Sequence, residues 1–340
     1  MGYNLKLNIY RFSLYSITNA IQRQQRGRTV MQYKHDNIAI PFRDFARSLN
    51  ANVNRDSYLA VVFEALLNYF GNSFRLNTDN TKAVSITPDL PPRPFGTTYK
   101  IDGMFKGGET GISRHVYQQG DASNSMVTIS NTDIPAIHYY YKLWIPYDSD
   151  DGILMIQGYT DMGCAATFKE QMEDFFISYG YKALWNAMIP TGIMEEYLNR
   201  SFINGIRITY GTEPRAGAQG LFASMQLAKK ESWLRNLNIS FQELLRLPNY
   251  QQELQNQLME CIDDYNPETD HARVFYTDEN KRRANASIGE LRDILPSIIL
   301  PDELKRQGTE EPELNAIATY TDGILERIQR QMGYQVDELV

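Results

Sequence analysis

The sequence has few of the residues that build disulfide, redox or metal sites. Among 340 residues there are two cysteines, Cys164 and Cys261, and four histidines. Two cysteines so far apart cannot form a disulfide framework, so both thiols are expected to be free in a reducing cytoplasm. No histidine lies at ligand spacing from another histidine or a cysteine, whereas structural zinc needs about four such ligands. We therefore expect no metal site and no cofactor.

Long apolar runs are also missing. The longest, such as 58–67, fall well short of the roughly 20 residues that span a bilayer. The first twelve residues alternate polar with apolar side chains and lack the apolar block of a signal peptide. The sequence thus predicts a cytoplasmic protein with no membrane partner.

The common catalytic motifs are absent from the chain. There is no Gly-x-Ser-x-Gly elbow and no phosphate-binding loop of the P-loop or dinucleotide type. Cys164 begins an expected helix, where a thiol is either activated or an inert core residue. The glycine-rich segment 103–111 predicts a hairpin turn at Lys106-Gly107-Gly108; the alternative is a backbone nest that binds an anion, assisted by Lys106 and Arg114.

What is present indicates a packed α+β protein. Hydrophobic residues make up 42% and aromatic residues 12% of the chain, enough for a substantial core. The segment order predicts a β-rich body at 1–230 with a mixed or antiparallel sheet, followed by a mostly helical region at 240–340. Four prolines within 88–94 predict a rigid connector inside the body.

Individual segments follow from their periodicity. Leu5, Leu7 and Ile9 alternate with polar residues, which predicts a half-buried strand. The other main expectations are helices at Tyr58–Phe70, Cys164–Tyr179 and Glu313–Met332, and strands at Ala136–Ile145 and Ile153–Tyr159 that form a hairpin.

Charge is unevenly distributed along the chain. The formal net charge is −7, yet residues 1–50 hold eight Lys or Arg against two Asp, and residues 301–340 hold nine acids against four bases. An acidic protein with a basic N-terminal region can still bind a local anionic partner, or its own acidic end in a second copy.

The basic segment is the strongest functional candidate. Arg23, Arg26, Arg28 and Lys34 are interleaved with glutamines around Gly27, and we expect a loop at Gln22–Arg28. Arginine and glutamine on a loop suit contact with nucleic-acid phosphates. A second cluster, Lys281-Arg282-Arg283, would extend this surface. The alternative is an exposed loop that only aids solubility.

A metal-dependent nuclease is the enzymatic alternative. Asp270 followed by Glu279-Asn280-Lys281 imitates the Asp and Glu-x-Lys pattern that holds a divalent ion in nucleases of the restriction-enzyme type. The Glu-x-Lys triplet is common by chance. Asp148, Asp150 and Asp151 form a second acidic cluster, which either binds a metal through oxygen ligands or is a solvated turn.

The order of segments resembles a known group of proteins. The N-terminal strand and basic segment, the helix at Leu59–Phe70, Tyr99-Lys100-Ile101-Asp102-Gly103, the β segments at 139–146 and 152–158 and a helical end follow one another. In this order, over about 1–230, the chain resembles prokaryotic phage-defence proteins of the KwaB and RexA type. The resemblance implies DNA association and self-assembly rather than an enzymatic activity, and it assigns no individual residue.

These observations predict a non-catalytic, nucleic-acid-associated or complex-forming component of a bacterial antiviral system. The basic segment would contact phosphate, and residues beyond 240 would contact another subunit or a second copy. A metal-dependent nuclease and a purely structural subunit are the alternatives.

Overall fold

The chain forms two compact units. The computed structural model describes residues 3–25, 28–86, 91–160, 163–193, 202–209, 231–235, 252, 255–256, 258–259, 271–277, 283–287 and 298–334. Unit 1 comprises Met1–Met188 together with Ser297–Val340, and unit 2 comprises Ile189–Pro296. The expected boundary near 230–240 falls outside the described residues, apart from 231–235, so the division into 1–230 and 240–340 stays a prediction.

Unit 1 contains most of the regular structure. In chain order its elements are β1 (Leu5–Gln25), β2 (Arg28–His35), α1 (Phe42–Leu49), α2 (Tyr58–Phe70), β3 (Arg75–Leu76), β4 (Lys82–Ser85), β5 (Arg93–Phe95), β6 (Lys100–Glu109), β7 (Arg114–Gln118), β8 (Asp121–Ile129), β9 (Ala136–Trp144), β10 (Gly152–Tyr159), α3 (Ala165–Ser178) and β11 (Tyr181–Ala187). Unit 2 contributes β12 (Phe202–Thr209), β13 (Glu231–Arg235), β14 (His271–Thr277) and β15 (Arg283–Ser287), and unit 1 ends with β16 (Ile298–Ile299) and α4 (Leu314–Gln331). The expected α+β class is confirmed, with β structure predominant.

One antiparallel sheet organises unit 1. Its strands follow the order β11-β1-β10-β9-β6-β4-β3, with β2 and β16 pairing with β1 and β5 pairing with β6. The expected hairpin is present, because β9 pairs antiparallel with β10 from Ile153↔Trp144 to Ile156↔Tyr141. The expected alternation at the start of β1 is also present, since Leu5, Leu7 and Ile9 are all buried.

Helices α1, α2 and α3 pack on one face of this sheet through aromatic side chains. Phe168 of α3 stacks on Phe105 of β6 with ring centroids 4.1 Å apart, and Phe45 of α1 meets Phe176 of α3 edge-on at 5.3 Å. Such pairs add to the free energy that burial of large apolar area already supplies. The helix expected at Tyr58–Phe70 has those bounds, and it stops before Gly71, whose φ is +56°.

Helix α4 covers the opposite face of the sheet. Its buried Ile317, Ile324, Leu325 and Ile328 recur at helical spacing, and the Glu313 side chain caps its first turn by accepting a hydrogen bond from the Ala316 amide at 2.6 Å. Strand β9 serves both layers, because successive side chains alternate across a strand: Tyr141 lies beside Phe168 of α3, while Tyr140 contacts Thr321 of α4.

The turn expected at Lys106-Gly107-Gly108 is wrong. All three residues lie inside β6 and pair with β9. A Cβ on Gly107 would stand 2.7 Å from the Cβ of Cys164, and one on Gly108 would stand 2.5 Å from the Pro135 carbonyl oxygen. These glycines therefore permit close packing. An extended strand forms no backbone nest, so the anion-binding alternative with Lys106 and Arg114 is also wrong; Arg114 instead pairs with Glu109.

Unit 2 carries a four-stranded antiparallel sheet in the order β13-β12-β14-β15. Strand β14 lies between β12 and β15 and pairs antiparallel with both. Of the predicted connector at 88–94, residues 88–90 are outside the description, and Arg93–Phe95 pairs with β6 as an edge strand. Most of 240–270 is likewise not described, so its helical content stays a prediction. None of the described helices is long and apolar enough to cross a membrane.

Candidate nucleic-acid interface

Strand β1 is much longer than its place in the sheet requires. Up to residue 16 it pairs with β10 and β11. From Ile17 to Gln25 its partner is β2, in register from Ile17↔His35 to Gln25↔Arg28, with a bulge between Ile17 and Asn19. We call residues 17–25 and 28–35 the N-terminal ribbon. At about 3.4 Å per residue, its paired length is roughly 27 Å.

The ribbon corrects the loop expected at Gln22–Arg28. Residues 22–25 and Arg28 are strand, and Arg26 and Gly27 are outside the described residues. The polar composition of this segment suggested a loop because it offers no apolar face. Its β-branched residues, such as Ile17, Ile21 and Thr29, instead suit a two-stranded ladder, whose backbone hydrogen bonds need no core.

Both faces of the ribbon are open. Asn19 and its strand partner Lys34 are exposed, as are Gln22 and its partner Met31. Adjacent strand residues point to opposite sides, so exposure of both members of such pairs means that neither side is covered. Near its base the ribbon meets the body, where Lys182 Nζ lies 6.0 Å from the ring centre of Tyr33.

The described basic side chains of the ribbon share one face. Arg23 is paired with Val30, and Asn19 with Lys34. Cross-strand partners share a face, as do residues at even separation along a strand. Arg23 and Lys34 therefore stand on the same side, about 14 Å apart along the ribbon at 3.4 Å per residue. Arg28 occupies the register position opposite Gln25.

No acidic residue offsets these charges within the ribbon. The sequence from Ile17 to His35 contains Arg23, Arg26, Arg28 and Lys34 and neither Asp nor Glu. Among described residues, neither Arg23 nor Lys34 forms an ion pair. A narrow element with one sign of charge and no counter-charge concentrates positive potential on itself, even though the whole protein is acidic.

Three arginines in the body of unit 1 contrast with this pattern. Arg11 pairs with Asp151, and Arg43 and Arg55 both pair with Asp148. The acidic cluster at 148–151 thus has arginine partners rather than an open ring of oxygens. Within the described residues, no group of three or more His, Cys, Asp or Glu side chains could hold a metal ion.

The other predicted site residues fall mostly outside the description. Asp270, Glu279, Lys281 and Arg282 are not described, so the nuclease hypothesis stays a prediction. Arg283 begins β15 and pairs with Thr277 at the end of β14. This strand belongs to unit 2 and the ribbon to unit 1, so the idea that Lys281-Arg282-Arg283 extends the basic surface also stays a prediction.

Cys164 is an inert core residue in this fold. Its side chain is buried, and burial raises the pKa of its thiol above the ordinary value, which disfavours the reactive thiolate. His138 is partly buried, and its Nδ1 contacts the Glu311 carboxylate at 3.1 Å.

The structure contains a buried charge cluster between β9 and α4 that the sequence analysis did not predict. Lys142 is 1% exposed, and its Nζ donates to the Asp322 carboxylate at 2.6 Å and to the Ala318 carbonyl at 2.9 Å. Lys100 donates to the same Asp322 oxygen at 2.7 Å. The sequence signal was a lysine at an inward position of an otherwise apolar strand.

Burial and hydrogen bonding act against each other in this cluster. Burial lowers the pKa of Lys142 to about 8, although the bond to Asp322 opposes the change. Burial would raise the pKa of Asp322, but hydrogen bonds from Lys100 and Lys142 outweigh it and leave that pKa below its ordinary value. Nearby, Arg93 donates twice to the buried Asp102 carboxylate, at 2.9 and 3.2 Å. The bonds of Lys100 and Lys142 to Asp322 and Ala318 connect α4 to the sheet.

An open surface pocket of about 460 Å³ lies beside the end of α4 and is lined by Arg11, Asp151, Met188, Gln331, Met332, Gly333 and Tyr334. Its one cation, Arg11, is engaged by Asp151, so the pocket offers no ready anion site. The ribbon remains the strongest candidate interface.

Comparison with known proteins adds no relative: no family model, curated protein or solved structure matches this chain.

Proposed function

We propose that the protein is a non-catalytic, nucleic-acid-associated component of a bacterial antiviral defence system, and that the N-terminal ribbon is its nucleic-acid interface. The observation that supports this most is the ribbon's exposed face, on which Arg23 and Lys34 lack the acidic partners that Arg11, Arg43 and Arg55 have among the described residues.

Electrostatics explains why such a face would bind. Lysine and arginine neutralise backbone phosphates and release condensed counterions, which makes binding favourable for any sequence and sensitive to salt. The acidic remainder of the chain keeps the attraction local. The defence role and the cytoplasmic location are supported by the resemblance to the KwaB and RexA type and by cysteine usage.

Association with another subunit is the second part of the proposed role. The apolar stripe of α4, which the sequence suggested as a contact for a partner, is buried on the sheet of its own unit. It therefore gives assembly no support, and an oligomer would have to use another surface.

Fluorescence anisotropy with labelled nucleic acids at several salt concentrations tests the proposal. Three or four phosphate contacts predict a slope of roughly −3 for log affinity against log salt on duplex DNA. Replacing Arg23, Arg28 and Lys34 by alanine should weaken binding to all sequences alike and reduce that slope by about 1 per residue.

A matched variant removes three positive charges elsewhere. Arg47, Arg55 and Arg330 are exposed by 53%, 64% and 70% and each pairs with an acid. The triple alanine variant at these positions changes net charge equally but should retain affinity and slope. Equal losses in both variants, or no binding by the native protein at low salt, would contradict the proposal.

A further inference from the structure

The shape of the ribbon selects among nucleic acids. We infer that the N-terminal ribbon enters the major groove of B-form duplex DNA, in preference to RNA duplexes and single strands. This rests on the proposed function, because it assumes that the ribbon binds nucleic acid.

Dimensions support this occupant. The two strands of a ladder lie about 4.8 Å apart, and the B-DNA major groove is about 12 Å wide and admits a two-stranded ribbon. The paired length of roughly 27 Å is nearly one helical turn. Both faces must be open for such entry; Asn19 and Lys34 are exposed on one face of the ribbon, and Gln22 and Met31 are exposed on the other.

Charge placement is complementary to the walls of a groove. Arg23 is on β1 and Lys34 on β2, so each strand of the ribbon carries a described cation. Groove walls are the two phosphate backbones, one on each side, and a ribbon lying between them brings one strand near each. A binder of a single strand has no need to divide its charges in this way.

The residues between the cations can make contacts inside a groove. Asn19, Gln22 and Gln32 are exposed, and their amides both donate and accept hydrogen bonds, as base edges in the major groove require. They carry no charge that would repel phosphate. Phosphate contacts remain the main source of affinity, so weak sequence preference is expected.

Other nucleic acids fit the ribbon less well. The major groove of A-form RNA is deep and too narrow for protein elements. Single strands are held by aromatic platforms on which bases stack. Of the ribbon residues, Tyr33 alone has a Phe, Tyr or Trp side chain; it is half-buried and Lys182 lies over its ring.

The test compares four probes of one sequence by anisotropy: a DNA duplex, an RNA duplex, single-stranded DNA, and a DNA duplex whose cytosines carry glucosylated hydroxymethyl groups in the major groove. We expect the plain DNA duplex to bind at least about tenfold more tightly than each of the other three. Netropsin, which occupies the minor groove, should leave binding nearly unchanged.

A charge-retaining variant separates groove entry from general attraction. Gln22→Trp/Gln32→Trp places one bulky ring on each face of the ribbon, since Gln22 and Gln32 are on opposite faces by the register, and leaves every charge in place. It should lose about tenfold on the plain DNA duplex and little on single-stranded DNA. Thermal unfolding checks that both proteins fold alike.

The outcomes separate the inference from the proposed function. Equal affinity for all four probes, abolished by the Arg23, Arg28 and Lys34 alanine variant, would overturn groove entry while leaving nucleic-acid binding intact. Displacement by netropsin, or unchanged binding to the glucosylated duplex, would also overturn groove entry. No binding to any probe would overturn both.

Discussion

The N-terminal ribbon and the cluster around Lys142 use positive charge in opposite ways. In the cluster, Lys142 is 1% exposed and shares Asp322 with Lys100. In the ribbon, Arg23 and Lys34 are exposed and have no acidic partner among the described residues. A buried cation without a partner costs several kcal/mol, whereas an exposed one costs almost nothing in stability. Charges that folding does not use are available to a ligand.

Removing the partner of Lys142 should have the largest effect on this comparison. Asp322→Ala leaves an uncompensated buried ammonium group and should lower the free energy of unfolding by about 3 kcal/mol. Glu326→Ala is the matched control on the same helix, since Glu326 forms an exposed pair with Arg330 and should change that free energy by less than about 0.5 kcal/mol. Urea unfolding measures both. Similar losses in the two variants would show that the cluster is not what holds α4.

A pH series should give the next largest effect. The pKa of Lys142 is about 8 in the folded protein, below its ordinary 10.5. Below pH 8 both states hold the proton; between the two values the unfolded state binds more protons, so stability gains with rising pH. Relative to Lys142→Met, the free energy of unfolding of the native protein should rise by about 1–3 kcal/mol between about pH 7.5 and 10, as measured by urea unfolding across that range.

The comparison with Lys142→Met cancels groups common to both proteins. The charged neighbours of Lys142 are Asp322 on α4 and Lys100 and Asp102 on β6. Hydrogen bonds from Lys100 and Lys142 hold the pKa of Asp322 below its ordinary value, so that carboxylate keeps its charge throughout this range. A difference curve that is flat, or that falls as pH rises, would contradict the buried, charged state of Lys142.

The smallest effect is expected in the ribbon. Arg23→Gln/Lys34→Gln should change the free energy of unfolding by less than about 0.5 kcal/mol, because both side chains are exposed and unpaired among described residues. The same variant should bind duplex DNA measurably less tightly. A stability loss above 1 kcal/mol would mean that these residues serve the fold, and would weaken the case for the interface.

Local periodicity predicted much of unit 1. Three local patterns each predict the element that forms within a few residues: the alternation of Leu5, Leu7 and Ile9, the helical spacing in Tyr58–Phe70, and the polar turn before Ile153. Helix α4 was predicted from the same kind of pattern, and its bounds lie within one residue of the expected Glu313–Met332 at each end.

Properties set by distant neighbours could not be predicted in this way. Gly107 and Gly108 predicted a turn because adjacent glycines are typical of turns. In the fold they are needed because the backbone lies close to Cys164 and Pro135, which are 57 and 27 residues further along the chain. The ribbon was predicted to be a loop because it has no apolar face. Its two strands are instead held together by backbone pairing. Lys142 gave no visible signal of its partner, since Asp322 is 180 residues away.

The length of β1 has a mechanical consequence. One uninterrupted strand runs from its place between β10 and β11 in the sheet to Gln25 in the ribbon. Tension on the ribbon is therefore carried by covalent backbone into a strand held on both sides, which loads its hydrogen bonds in shear. With no flexible linker between arm and sheet, the bulge at residues 17–19 is the one described irregularity in the ladder of β1 and β2. The direction in which the ribbon leaves the sheet is therefore set by β1 itself.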